Sequence, residues 1–343
     1  MLDTLKTLCY LSGVSGAEDE VRDYILERVM PRAEELSSDA MGNLIVLKKG
    51  ARTPERRLML CAHMDEVGLI VTGYTDEGYL RFDCVGGIDR RVLIGKRVYV
   101  GPDRADGVIG IKAYHLVDKE EEDKAPNVDE LYIDAGCTSR EQAMRTAAPG
   151  DRCVFYDSIV EFGDGFLKAK AIDDRVGCAA MIKLIESELP CDVYFAFTTQ
   201  EEVGTRGAKT AAYSVRPDVA LVLEGTTATD LPDIGEGKRI CRAGDGVVIP
   251  FMDGGTVYDR RLYAALTRIA DENGIKRQTK RRIAGGTDGA AVQRSRAGVQ
   301  TAAIACAVRN IHSPASVGKI SEFEDLLKLA GLFIEDFAAG KTE

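Results

Sequence analysis

The chain has 343 residues, 45% of them hydrophobic and 29% charged, with a formal net charge of -10 at pH 7. That balance fits a globular protein and argues against nucleic acid or an anionic membrane as a principal partner. No apolar run approaches the roughly 18 residues of a membrane span, and residues 1–13 lack the basic and apolar regions of a secretory leader, so a cytoplasmic location is expected.

Ser15-Gly16-Ala17-Glu18 has the spacing of a capping box, and it predicts an amphipathic helix over 18–29. Strands are expected at 43–47 and 58–61. The character then changes to short β-type runs at 69–72, 79–82, 97–100, 108–111, 131–133 and 153–156. Turns such as Asp76-Glu77-Gly78 separate them, and one short helix is expected at 140–146. Beyond that, strand and helix alternate. A helix follows Asp174, then come a strand at 193–198, a helix at 207–212 and a strand at 219–223. Helices at 259–272 and 287–294, a strand at 301–308 and a final helix at 321–337 complete the chain. Buried apolar strands alternating with helices indicate a helix-flanked parallel or mixed sheet. The expected fold class is therefore α/β: a main domain built from 1–66 and 164–343, with a smaller β-rich domain, 67–163, inserted. The charged run at 119–124 reads as a solvated loop.

Nine cysteines are scattered along the chain with no Cys-x-x-Cys pair, so they read as reduced core residues rather than a disulfide framework or a thiolate zinc site. No Gly-x-Ser-x-Gly motif occurs, and His115 in the inserted segment reads as structural.

Metal-type ligands fall in a more pointed pattern. His63 ends the apolar run at 58–63, Glu201 and Glu202 follow the run at 193–198, Glu224 ends 219–224, and His312 comes four residues after 303–308. In an open α/β sheet, ligands bind outside the carboxyl ends of the strands, where these positions could converge. Asp173-Asp174 places two more carboxylates at a helix start, where negative charge is favoured. A mixed histidine and carboxylate set suits zinc, cobalt or manganese. A pair of such ions needs a bridging carboxylate, and a glutamate beside a ligand is placed to act as base. Taken singly, each of these residues could equally be a structural histidine or a solvated acidic pair.

Five segments together carry a resemblance: Ala62-His63-Met64-Asp65-Glu66-Val67-Gly68, Ala171-Ile172-Asp173-Asp174-Arg175-Val176-Gly177, Thr199-Gln200-Glu201-Glu202-Val203-Gly204, Glu224-Gly225-Thr226 and Ile311-His312-Ser313-Pro314. Over nearly its whole length the chain resembles the dinuclear metallo-aminopeptidases of the glutamyl aminopeptidase, tetrahedral aminopeptidase and cellulase M (endoglucanase M) type. The resemblance implies an aminopeptidase acting on short peptides with two divalent ions per subunit, zinc or cobalt, with manganese as the alternative. It implies that Asp173 bridges the metals, with His63 and Glu224 at one and Glu202 and His312 at the other. Glu201 would be the general base, Asp65 the carboxylate that orients His63, and Asp174 a support for the bridge. Gly285-Gly286-Thr287-Asp288 resembles a family loop near the substrate. The inserted domain would shape access and a homo-oligomer, a dodecamer in relatives. Glu224 departs from the aspartate common at that place and is one methylene longer. Rival readings are a related dinuclear amidohydrolase, such as a deacylase or carboxypeptidase, and a metal-independent glycosidase working through two carboxylates.

Overall fold

The protein is described from a computed structural model, covering residues 1–119, 124–156 and 158–342. Most of the charged run at 119–124 lies outside the described residues. Two helices open the chain, α1 (Leu2–Tyr10) and α2 (Asp19–Val29), followed by strands β1 (Glu35–Ser38), β2 (Leu44–Lys48) and β3 (Leu58–His63). Six strands then form one unit: β4 (Gly68–Tyr74), β5 (Leu80–Val85), β6 (Arg97–Val100), β7 (Ala105–Gly110), β8 (Tyr132–Asp134) and β9 (Arg152–Phe155), with α3 (Arg140–Thr146) between the last two. The chain returns through β10 (Val160–Phe162), β11 (Phe166–Ala169), α4 (Ile172–Glu186), β12 (Val193–Thr198), α5 (Arg206–Val215) and β13 (Val219–Thr227). It ends with β14 (Val247–Ile249), α6 (Arg260–Glu272), β15 (Arg277–Thr279), α7 (Gly289–Gln293), β16 (Gln300–Arg309), β17 (Ser316–Lys319) and α8 (Ile320–Ala338).

β4 to β9 close into an antiparallel barrel in the order β4-β5-β8-β7-β6-β9, and the remaining strands make one mixed sheet in the order β1-β2-β12-β3-β13-β16-β17-β11-β10. β14 joins that sheet beside β16 and pairs with β15. The sheet's centre explains its sequence. β3 is buried along its whole length, so both alternating sets of side chains are apolar. Leu58, Leu60 and Ala62 pack into a core with Leu5, Val176 and Leu326 of α1, α4 and α8. Met59 and Cys61 face the other way, toward Ala208 and Ala212 of α5 and Val292 of α7. The barrel has its own core around Leu69, Phe82, Val98 and Ile133.

Several elements differ from expectation. Residues 160–162, placed by the sequence in the inserted segment, pair through β10 with β11 of the large sheet, so the chain rejoins the main domain before residue 164. α1 was not anticipated; it is held by Leu5 and Leu8, both at 0% exposure. The capping box before α2 does not form: Glu18 is the N-cap with no side-chain cap bond. All nine cysteines are free. Among the described residues, no helix is long and apolar enough to cross a membrane.

Candidate metal centre

Four neighbouring strands, β12, β3, β13 and β16, run parallel, so their carboxyl ends share one edge of the sheet. His63 is the last residue of β3, Glu201 and Glu202 lie in the turn after β12, Glu224 lies within β13, and His312 follows β16. The sequence put Glu224 at a strand end; β13 instead runs on to Thr227.

Asp173 occupies the middle of the group. Its Oδ1 is 3.4 Å from His63 Nε2 and its Oδ2 is 3.7 Å from His312 Nε2. Each histidine also faces a glutamate: His63 Nε2 is 3.7 Å from Glu224 Oε2, and His312 Nε2 is 3.2 Å from Glu202 Oε2. The structure thus gathers His63, Asp173, Glu202, Glu224 and His312 around a single carboxylate. Clusters of potential ligand atoms form at His63, Asp173 and Glu202 and at His63, Asp174 and Glu224.

Both imidazoles are anchored through the other nitrogen. His63 Nδ1 is 3.1 Å from the Asp65 carbonyl and 3.3 Å from Asp65 Oδ1. His312 Nδ1 is 2.8 Å from the carbonyl of Gly87, in the loop that leaves barrel strand β5. A proton held on Nδ1 by these acceptors leaves the Nε2 lone pair of each ring turned into the group.

Asp65, fully buried, does more than face His63. Its Oδ1 and Oδ2 accept the backbone N–H groups of Glu201 and Glu202 at 2.9 and 3.1 Å, and Ser15 Oγ donates to Oδ2 at 2.6 Å. Ser15, whose motif suggested a helix cap, is therefore engaged by the centre. Asp174 accepts from the N–H groups of His63 (3.2 Å) and Gly177 (3.0 Å), tying the start of α4 to the end of β3. Residues 173 and 174 have non-helical backbone angles, so regular helix begins only after them. Gly225 is required by close approach: a Cβ there would lie 2.7 Å from that of Asp173. Its N–H donates to Asp173 Oδ1 at 3.2 Å. The loop 285–288 reaches the back of the group: Asp288, fully buried, takes the Thr198 hydroxyl on Oδ2.

The electrostatics are those of a site with too much negative charge. Burial, reinforced by neighbouring carboxylates, pushes Glu201, Glu224 and Asp174 well above the usual carboxylate range. Burial lifts Glu202 to about 8 and Asp288 to about 6. Asp173 goes the other way: burial opposes its charge, but the two facing imidazoles hold it below the usual range. Burial would discharge His312, yet Asp173 and Glu202 keep it up at about 9. The same contest leaves His63 well above its ordinary value.

The residues present fit a pair of divalent cations. Glu224 Oε1 is buried with no hydrogen-bond partner among the described residues, a costly state that a ligated cation relieves. Nitrogen and carboxylate donors lie on both sides of one central carboxylate, as a two-ion site requires. Carboxylates driven toward protonation by their own crowding are the groups a fixed positive charge would ionise.

Comparison with known proteins finds related sequences and folds. The profile of the M42 glutamyl aminopeptidase family matches residues 42–329. An aminopeptidase from the archaeon Desulfurococcus kamchatkensis is 35% identical, with a TM-score of 0.92 over 97% of this chain and 94% of its own. The TET aminopeptidase of a marine sediment Thaumarchaeota archaeon is 32% identical, with a TM-score of 0.94 over 99% and 97%. The TET1 peptidase of Pyrococcus horikoshii, which can assemble into a tetrahedron or a large octahedral shell, is 35% identical, with a TM-score of 0.84 over 96% and 98%.

Proposed function

The chain belongs to the M42 glutamyl aminopeptidase family, and from that membership and the geometry of the centre we propose that it is a metal-dependent aminopeptidase removing N-terminal residues from short peptides. The observation that carries the reading is Asp173, set between two histidines that each have a glutamate of their own. His63 and Glu224 would hold one divalent ion, Glu202 and His312 the second, and Asp173 would join both. Zinc or cobalt suits these donors, and manganese is the alternative. When bound, the two ions supply an attacking water that ionises near neutral pH and polarise the scissile carbonyl.

The chain's own residues do the rest. Glu201 takes the proton of the attacking water and delivers it to the leaving amine. It is suited to this because it is next to Glu202 and its backbone N–H is fixed by Asp65, so the base keeps one position relative to the ligands. Asp65 holds the His63 ring and the Glu201-Glu202 turn in one arrangement. The free α-amine of the peptide is drawn to the surplus of carboxylates, which favours an exopeptidase. The P. horikoshii TET1 peptidase supports a homo-oligomer for this chain as well.

The test is release of a chromogenic group from a panel of free and N-acetylated aminoacyl substrates, on chelated protein and after zinc, cobalt or manganese is restored. Activity that returns with metal on free amines alone is expected. Turnover of blocked amides would replace the reading with a deacylase, and turnover that survives chelation with a metal-independent hydrolase. Glu201→Gln is expected to keep its metal and lose most turnover; near-normal turnover would remove Glu201 as base.

A further inference from the structure

A second site lies away from the centre, where β14 and β15 pair and the chain segment 236–242 folds over them. A cavity of about 400 Å³ there is lined by four arginines, Arg239, Arg242, Arg277 and Arg281, together with Gln278 and Asp245. In a chain of net charge -10 this concentration of guanidinium groups runs against the overall balance.

The charges are unevenly matched. Arg277 is spoken for, since its Nε and Nη2 donate to the two oxygens of Asp271 at 2.8 and 2.7 Å. The other three converge on one carboxylate. Arg239 Nη1 donates to Glu236 Oε1, Arg281 Nη1 donates to Oε2 at 3.1 Å, and Arg242 Nη1 lies 3.9 Å from Oε1. Asp245 offers Arg242 only a distant contact, 3.9 Å from its Nε, and is shared with Lys276 at 3.3 Å. Arg239 Nε is buried with no hydrogen-bond partner among the described residues. Glu236 itself is 63% exposed at the side chain and, among the described residues, is held by these arginines and its own short turn.

The surroundings are tied together by hydrogen bonds of the fold. Gln278 accepts the Arg242 N–H at 2.9 Å and donates to the carbonyls of Arg242 and Gly246, both at 2.8 Å. The parallel pairing of β14 with β15 fixes Arg277 and Gln278 in register.

We infer that this cavity is a binding site for a small, multiply charged oxyanion, recognised through phosphoryl or carboxylate oxygens, and that Glu236 occupies its place until the ligand arrives. The planar guanidinium fork matches both kinds of oxyanion, and three forks around one exposed carboxylate leave donors for more acceptor oxygens than Glu236 has. A cavity of this volume takes a small molecule rather than a macromolecular surface. On binding, Glu236 turns outward to solvent, and the ligand inherits Arg239, Arg242 and Arg281. The inference does not depend on what the histidine and carboxylate centre does.

The test is calorimetric titration of the full-length, metal-loaded protein with inorganic phosphate and with succinate, at constant ionic strength, alongside the variants Glu236→Gln, Arg281→Ala and Arg239→Ala. One saturable site per chain is expected, and whichever probe binds more tightly identifies the oxyanion class. Glu236→Gln removes the internal competitor and should tighten binding about tenfold, while Arg281→Ala should weaken it by a similar factor. Arg281 is 65% exposed, so its loss does not threaten folding even if Arg239→Ala does. Hydrolysis of a neutral aminoacyl substrate should be unchanged in Arg281→Ala. Absence of saturable binding in both the wild type and Glu236→Gln would overturn the site. So would binding of the same strength in the wild type and Arg281→Ala, which would assign the anion to the metal centre instead.

Discussion

Asp65 and Glu66 are adjacent, and both carboxylates are buried, at 0% and 3% exposure, yet their surroundings are opposite in design. Glu66 is answered from within the chain. Lys170 Nζ donates to its two oxygens at 2.7 and 2.9 Å, Arg175 Nη2 reaches Oε1 at 3.3 Å, and the Gly13 N–H donates at 3.2 Å. Those cations also tie down the N-terminal segment, Lys170 through the Leu11 carbonyl and Arg175 through that of Leu8. Asp65 faces the other way, into a group where Asp173, Asp174, Glu201, Glu202 and Glu224 outnumber two histidines. A buried charge whose partners are all internal does structural service. Carboxylates in excess of the two histidines that face them mark a place prepared for something from outside.

The contrast can be attacked from each side. Glu66→Gln would leave Lys170 and Arg175 buried beside a neutral amide, and should cost about 3–5 kcal/mol in denaturant unfolding, a loss that added metal does not restore. A negligible cost would mean that the internal network is not the structural member of the pair. Glu322 tests the middle case, a buried carboxylate with no cation in hydrogen-bond contact among the described residues. Its Oε1 accepts the N–H groups of Gly244 and Gly246, both at 2.8 Å, and burial raises it to about 7. Because the folded value lies above the unfolded one of 4.5, the protonated side chain favours the fold. That contribution is complete below pH 4.5 and is lost as pH rises through 7, about 3 kcal/mol in all. Glu322→Gln keeps the acceptor and should flatten this part of the stability–pH curve; an unchanged slope between wild type and variant would contradict the assignment. Asp65→Asn, which replaces one of two acceptor oxygens by a donor, should lower metal affinity or kcat about 10–100-fold while the chain still folds. Metal titration and steady-state rates on one preparation would show it, and a variant that unfolds instead would place Asp65 with Glu66.

Much of this was legible in the sequence, for a physical reason. His63 and Glu224 terminate continuous apolar runs, and Glu201, Glu202 and His312 follow such runs closely. Strands buried on both faces must sit in the centre of a sheet, so their carboxyl ends share an edge. What stayed hidden depends on contacts with no local pattern. Ser15 looks like a helix cap by spacing, yet Asp65, 50 residues on, takes its hydroxyl. Lys170 and Arg175 lie 104 and 109 residues from Glu66, and nothing in either neighbourhood announces the pairing. β10 is three exposed residues, so no burial pattern shows that it belongs to the large sheet rather than the barrel.

The contact between His312 and Gly87 links the two parts of the molecule mechanically. Gly86, at a φ of 85°, packs so closely that a Cβ there would come within 3.3 Å of Glu202 Cβ. The loop thus reaches both residues proposed for one half of the centre, the imidazole through a hydrogen bond and the glutamate by an approach that leaves little room for a Cβ at Gly86. Any tilt of the barrel against the sheet would swivel that ring, so the set of the barrel is a lever on the geometry of the centre.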